Sequence, residues 1–104
     1  MLKNTAPRAT YKVRAKVWLY SGNGGWHFLT LPSRQAAAIR ALFATGSRPF
    51  GSLPVSVTIG GTEWRTSLFP DKKAGSYLLP IKADVRKSEQ IEDGMMVSAT
   101  IHIL

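Results

Sequence analysis

Between Leu53 and Phe69 the chain reads Leu-Pro-Val-Ser-Val-Thr-Ile-Gly-Gly-Thr-Glu-Trp-Arg-Thr-Ser-Leu-Phe, two alternating runs on either side of Gly60-Gly61. Alternation of apolar and polar side chains is the period of a half-buried strand. A Gly-Gly pair between two such runs predicts a two-residue hairpin, because primed turns need positive φ where glycine is unstrained. The turn sets Ile59 opposite Thr62, Val57 opposite Trp64, Val55 opposite Thr66 and Leu53 opposite Leu68. One face then collects the large apolar groups, and the other carries Ser56, Thr58, Glu63, Arg65 and Ser67. A slip of one residue would bury these polar groups and expose Val57 and Trp64, so only one pairing is workable.

The same period predicts a strand from Tyr11 to Tyr20, with Tyr11, Val13, Ala15, Val17 and Leu19 on one face and Lys12, Arg14, Lys16, Trp18 and Tyr20 on the other. Ser21 to Gly25 is a glycine-rich turn, and Trp26 to Leu31 returns as a strand that Pro32 ends. Pairing of the two sets Tyr20 against Trp26, Trp18 against Phe28 and Lys16 against Thr30. Behind Ser33, a capping residue, Ala38, Ile39, Leu42 and Phe43 fall at helical spacing and predict a helix ending near Thr45 and Gly46. Residues 47–51 then form a loop into the hairpin. Beyond the hairpin, Pro70 to Gly75 is a longer turn and Ser76 to Ile81 is a strand, held to an edge or end by Pro80. Lys82 to Glu92 is one or two turns of helix with Asp84 near its start, and Gly94 releases the chain into a last strand whose Val97, Ala99, Ile101 and Ile103 share a face. Six strands and two helices result, in one domain over 11–104 behind a flexible basic tail, residues 1–10. The expected fold is mainly β, a closed or nearly closed small barrel that leaves no exposed edge and is capped at its ends by the helices.

Composition narrows the classes. A chain of 104 residues with 44% hydrophobic and 19% charged residues supports one folded core and leaves no room for two. With no cysteine, a disulfide scaffold and a thiolate metal site are both excluded, which fits a reducing cytoplasm. No apolar run reaches signal-peptide or membrane-span length, so neither export nor a membrane partner is expected. The net charge of +8 is uneven: residues 1–62 carry eight basic groups and no acid, whereas the remainder balances six against six. A field of this sign favours polyanions such as nucleic acid.

Nothing in the residue pattern points to catalysis. His27 and His102 are the only histidines, and neither stands at metal-ligand spacing or beside an acid. Glu63 shares a strand face with Arg65, Glu89, Glu92 and Asp93 form a charged turn, and Thr66 and Ser67 lie mid-strand without an activating motif. The glycine clusters separate strands from strands, so neither is a phosphate-binding loop opening a helix. The expectation is a protein without catalytic residues, metal or cofactor.

Two surfaces carry binding chemistry instead. The first hairpin sets Lys12, Arg14, Lys16, Trp18, Tyr20, Trp26 and Phe28 on one face, where bases of a single strand stack on the rings and cations follow the phosphates. Burying the rings beneath the 34–45 helix would stabilise the fold more than exposing them, so a core role is the expectation and an exposed platform the alternative. The second surface joins Arg65, Lys82, Arg86 and Lys87 wherever the polar face of the central hairpin meets the second helix. Such a cluster is either an anion site or a solvated face neutralised by Asp84 and Glu89, in surface pairs worth less than about 1 kcal/mol each.

Three segments together resemble the DUF1905 family, a domain of unknown function: Trp26-His27-Phe28-Leu29-Thr30-Leu31-Pro32, then Gly60-Gly61-Thr62-Glu63-Trp64-Arg65-Thr66-Ser67-Leu68-Phe69-Pro70, and Tyr77-Leu78-Leu79-Pro80-Ile81-Lys82 leading to Val85-Arg86-Lys87. Where the family pattern reads Gly-Asp before the last strand, this chain has Gly94-Met95. The resemblance implies a double-split β-barrel, similar in architecture to the swapped-hairpin folds of bacterial transcription regulators and antitoxins, and it implies no reaction. The functional expectation is a small non-enzymatic binding module, monomeric or weakly dimeric, for a polyanion, nucleic acid or a protein partner. The alternatives are a DNA-binding regulator of that architecture, and a small-molecule pocket or enzyme around Trp64, Arg65, Ser67, Tyr77 and Lys82.

Overall fold

A computed structural model describes residues 8–43 and 51–104. Among them the chain forms β1 (Ala9–Lys16), β2 (Trp18–Leu19), β3 (His27–Thr30), α1 (Ser33–Phe43), β4 (Leu53–Ile59), β5 (Thr62–Asp71), β6 (Ser76–Pro80), α2 (Ala83–Glu89) and β7 (Met96–Ile103). The central hairpin has the register its alternation dictates: Leu53 pairs with Leu68, Val55 with Thr66, Val57 with Trp64 and Ile59 with Thr62. Of the two turn glycines only Gly60 has positive φ, 58°, as in the primed turn whose first central residue alone is left-handed. Gly60 meets a second constraint, since a Cβ there would collide with the Glu89 carboxylate. That carboxylate accepts a 2.6 Å bond from the Thr62 hydroxyl and seats the end of α2 on the hairpin turn.

All strands are antiparallel to their neighbours, in the order β1-β7-β4-β5-β6-β3-β2. Two stretches each serve both halves of this sheet. Within β5, Thr62 to Leu68 pairs with β4 and Phe69 to Asp71 pairs with β6. The first extended stretch likewise gives β1 to β7 and β2 to β3, and changes partners at the fully buried Val17. There the Val17 amide donates to the Met95 carbonyl at 2.8 Å and its own carbonyl accepts the Gly94 amide at 2.8 Å. The sheet curls about a core built from Val55, Val57, Leu68, Leu79, Ile101 and Ile103 among others.

Several expectations are corrected. The predicted strand from Tyr11 to Tyr20 is divided at Val17, so there are seven strands among the described residues where six were expected. The sheet is a curled half-barrel and does not close, since β1 and β2 stand at the two ends of the strand order and no ladder pairs them. Lys16 pairs with Met96, not with Thr30. Most of the expected tail lies outside the described residues, but its last three are ordered: the Arg8 amide bonds to the Ile103 carbonyl, and Ala9 and Thr10 pair with Ile103 and His102.

In α1 the buried face is Ala36, Ile39 and Phe43, while Leu42, expected inside, is 67% exposed. Ser33 is the first helical residue and not the cap, since the Ala36 amide already bonds to the Pro32 carbonyl. The expected end near Thr45 and Gly46 lies outside the described residues. Helix α2 has Asp84 in its first turn and stops at Gln90, a non-glycine residue in the left-handed region with φ 56°. The Gln90 and Ile91 amides reach back to the Lys87 and Arg86 carbonyls, and Ile91 is buried, as in a Schellman ending.

Candidate functional site

The β2–β3 hairpin pairs Trp18 with Phe28, and the Tyr20 amide bonds to the Trp26 carbonyl at 2.8 Å. Alternation therefore brings Trp18, Tyr20, Trp26 and Phe28 to one face. Phe28 is the centre of the cluster: the Trp26 ring stacks on it at 6.0 Å and 5°, Trp18 lies tilted at 5.2 Å, and Tyr20 meets it edge-on at 6.5 Å. The Trp18 indole N–H donates to the Thr30 hydroxyl at 2.9 Å and fixes that ring. Trp26 in turn lies against the turn backbone at Gly24, which has φ 100° and where a Cβ would stand 3.1 Å from the indole.

These rings are not sealed beneath α1. With Phe69, Pro70, Leu78, Asp71, Lys72 and Lys73 of the β5–β6 hairpin they line an open groove of about 640 Å³, to which α1 contributes no lining residue. Tyr20 is 48% exposed, Trp26 54% and Phe69 44%, while Trp18 and Phe28 are half-buried. The expectation of a core role is thus corrected for Tyr20 and Trp26. Lys12, Arg14 and Lys16, expected beside the rings, lie exposed on β1 against β7 and line no part of the groove. Its cations are Lys72 and Lys73, which the strand pattern did not single out. The available signal was their position three and four residues beyond Phe69, in the turn whose strand β6 pairs with β3.

A second depression, a cleft of about 400 Å³, opens beside the groove. It brings together Arg65 of β5, Lys82 before α2 and Arg86 within α2, with Trp26, Trp64 and Phe69 among its apolar walls. Trp26 and Phe69 line both depressions, so the aromatic groove and the basic cleft form one surface. Arg86 is half-buried and its Nε donates to the Ile81 carbonyl at 3.1 Å, whereas Arg65 and Lys82 are exposed. No lining residue of the cleft is acidic. Asp84 and Glu89, expected to neutralise the cluster, stand outside it, and Glu89 is engaged by Thr62. Lys87 is also absent from the cleft; it lines a different depression with Arg86, Glu92 and Asp93. Of the five residues considered for a small-molecule pocket, Trp64, Arg65 and Lys82 meet here, while Ser67 and the buried Tyr77 do not line it.

His27 holds its Nδ1 2.8 Å from the Gly25 carbonyl at the cleft wall, and His102 pairs its Nδ1 with the Thr10 hydroxyl at 3.0 Å. Both bonds are local props of strand ends. Among the described residues no three His, Asp or Glu side chains are grouped so as to hold a metal ion, and no helix is long and apolar enough to cross a membrane.

Residues 14–101 match the family described as Domain of unknown function (DUF1905). The chain belongs to this family. The match takes in the whole groove and the whole cleft, so the surface is part of the DUF1905 domain itself and not of an appended segment. Comparison with curated proteins finds no match.

Proposed function

We propose that this DUF1905 domain is a small non-enzymatic binding module that takes up single-stranded nucleic acid along the aromatic groove. The observation that carries the reading is the pairing of an exposed Trp26 ring, backed by Phe28, with cations on either side of it. Lys72 and Lys73 stand in the groove, and Arg65, Lys82 and Arg86 in the adjoining cleft. Bases of any sequence stack on such rings, at about 1–3 kcal/mol each, while the cations neutralise phosphates. Asp71 is the one acid in the groove, and its carboxylate accepts the Ala74 amide at 3.4 Å within the turn. In this reading the two half-sheets that share β5 form a double-split barrel, the module acts in the cytoplasm, and it works without a cofactor. Fluorescence anisotropy with a labelled oligothymidylate tests it: binding at 50 mM salt, weakened by Trp26→Ala, is expected, and no binding of any oligonucleotide at that salt overturns it.

A second reading, a pocket for a small anionic ligand, is supported by the meeting of Trp64, Arg65 and Lys82 in the cleft. Isothermal titration with nucleoside monophosphates separates it from the first, since a pocket of this kind would bind them as tightly as a strand.

A further inference from the structure

The geometry points to the basic cleft as a site for the terminal phosphate of a nucleotide, with the attached base on Trp26; this rests on the stacking reading above. Three cations, Arg65, Lys82 and Arg86, line one cleft that has no carboxylate in its wall, whereas the groove holds Asp71 and the depression on the other side of Arg86 holds Glu92 and Asp93. The excess positive charge of the surface is therefore concentrated in a cleft whose wall is largely apolar, with Trp64, Pro80 and Ile81, and whose other polar side chains, His27 and Thr66, carry no negative charge. An internal phosphodiester carries one negative charge, but a terminal phosphomonoester carries about 1.5 to 2 near neutral pH and offers three acceptor oxygens. It is the anion whose charge and acceptor count match three cations.

The arginine that anchors the site is already oriented. With Nε spent on the Ile81 carbonyl, Arg86 has only its two terminal NH2 groups left to offer, in a plane fixed by that bond. Arg65 and Lys82, exposed and on two other segments, are free to close on an anion from either side. At about 400 Å³ the cleft is of the size of one nucleotide unit, while the larger groove of about 640 Å³ adjoins it at Trp26 and Phe69. A strand would thus begin at the cleft and run out along the groove.

Binding of oligothymidylates of about eight nucleotides, carrying either a 5′-phosphate, a 3′-phosphate or hydroxyls at both ends, tests this directly. One phosphorylated form is expected to bind at least about tenfold tighter than the hydroxyl form. Arg65→Ala and Lys82→Ala are expected to abolish that preference, weakening the phosphorylated form at least about tenfold more than the hydroxyl form, whereas Lys72→Ala with Lys73→Ala in the groove weakens all three forms alike and keeps the preference. Equal affinity for all three forms overturns the terminal-phosphate site and leaves the stacking reading standing. Failure of every form to bind overturns the stacking reading as well. Thymidine 5′-monophosphate distinguishes the source: affinity equal to that of the phosphorylated strand assigns the cleft to a free nucleotide, and affinity at least about tenfold weaker assigns it to a strand end.

Discussion

The indole of Trp26 lies parallel to the ring of Phe28, 6.0 Å apart at 5°, with one face covered by its neighbour while the residue as a whole remains 54% exposed. A large ring held in this way gives little to the core, but it is oriented before any partner arrives. Rigid, pre-oriented aromatic surface loses little conformational freedom on binding, which is why it contributes more to affinity than to stability.

Trp26→Ala is therefore expected to cost less than about 1 kcal/mol of stability and to weaken oligonucleotide binding by about 1–3 kcal/mol, roughly five- to 150-fold. Trp18→Ala should behave differently. Trp18 is half-buried against Phe28 and bonded to Thr30, so its loss is expected to cost about 3 kcal/mol of stability. Melting curves read beside anisotropy distinguish the two, and equal destabilisation by both variants would contradict the exposed platform.

Val57 is fully buried between Trp64 of β5 and Ile101 of β7. Val57→Asp places a carboxylate there without a partner and is expected to unfold the domain, at a cost of several kcal/mol. Ser56→Asp, one residue away on the other face, exchanges the bond to Glu63 for like-charge repulsion from it, but it stays at the surface and faces Arg65 across the hairpin, so a change of no more than about 1 kcal/mol is expected. Circular dichroism and melting temperature of both variants check the register.

The central hairpin was legible because every signal in it is local: Gly60 fixes the turn, and alternation then decides the faces. Trp18 opposite Phe28 was legible for the same reason, across a short glycine-rich turn. Lys16 was misplaced because the alternation runs unbroken through Val17, while the change of partner there depends on Met95 and Gly94, far along the chain. The exposure of Trp26 has a similar origin. Whether α1 covers the rings depends on how β3 docks on β6, and no residue between Trp26 and Phe43 records that. Arg65, Lys82 and Arg86 could be grouped in advance from a strand face and a helix start, but Lys72 and Lys73 join the rings only through the β3–β6 pairing.

Gln90 holds a left-handed conformation at the end of α2 that costs a non-glycine residue about 1 kcal/mol. Gln90→Gly is expected to remove that strain, partly offset by the freedom glycine gains when unfolded, for a net gain of about 0.5 kcal/mol. Urea titration detects it as a raised midpoint at unchanged slope. A lowered midpoint would mean that the Gln90 side chain contributes more than its backbone costs.

A single chain supplies all seven strands of the sheet, and the stretch from Ala9 to Leu19 spans from one end of it to the other. No strand from a second copy is required, in contrast to barrels assembled by hairpin exchange. Light scattering at low micromolar concentration is expected to give the monomer mass, and a dimer that persists on dilution would contradict this and favour a regulator-like assembly.

Salt dependence separates specific use of the groove from general attraction to a protein of net charge +8. Each phosphate neutralised on a single strand contributes about −0.7 to the slope of log Kobs against log salt. If Lys72 and Lys73 in the groove each meet one phosphate, Lys72→Ala with Lys73→Ala is expected to lower the slope by about 1.4 and weaken binding at every sequence alike. Lys12→Ala with Lys16→Ala removes the same charge from β1, away from the groove, and is expected to leave the slope within about 0.3 of the parent. Anisotropy titrations from 25 to 200 mM salt give both slopes. Equal loss from the two pairs would mean that the strand follows overall charge and that its phosphates do not track the groove.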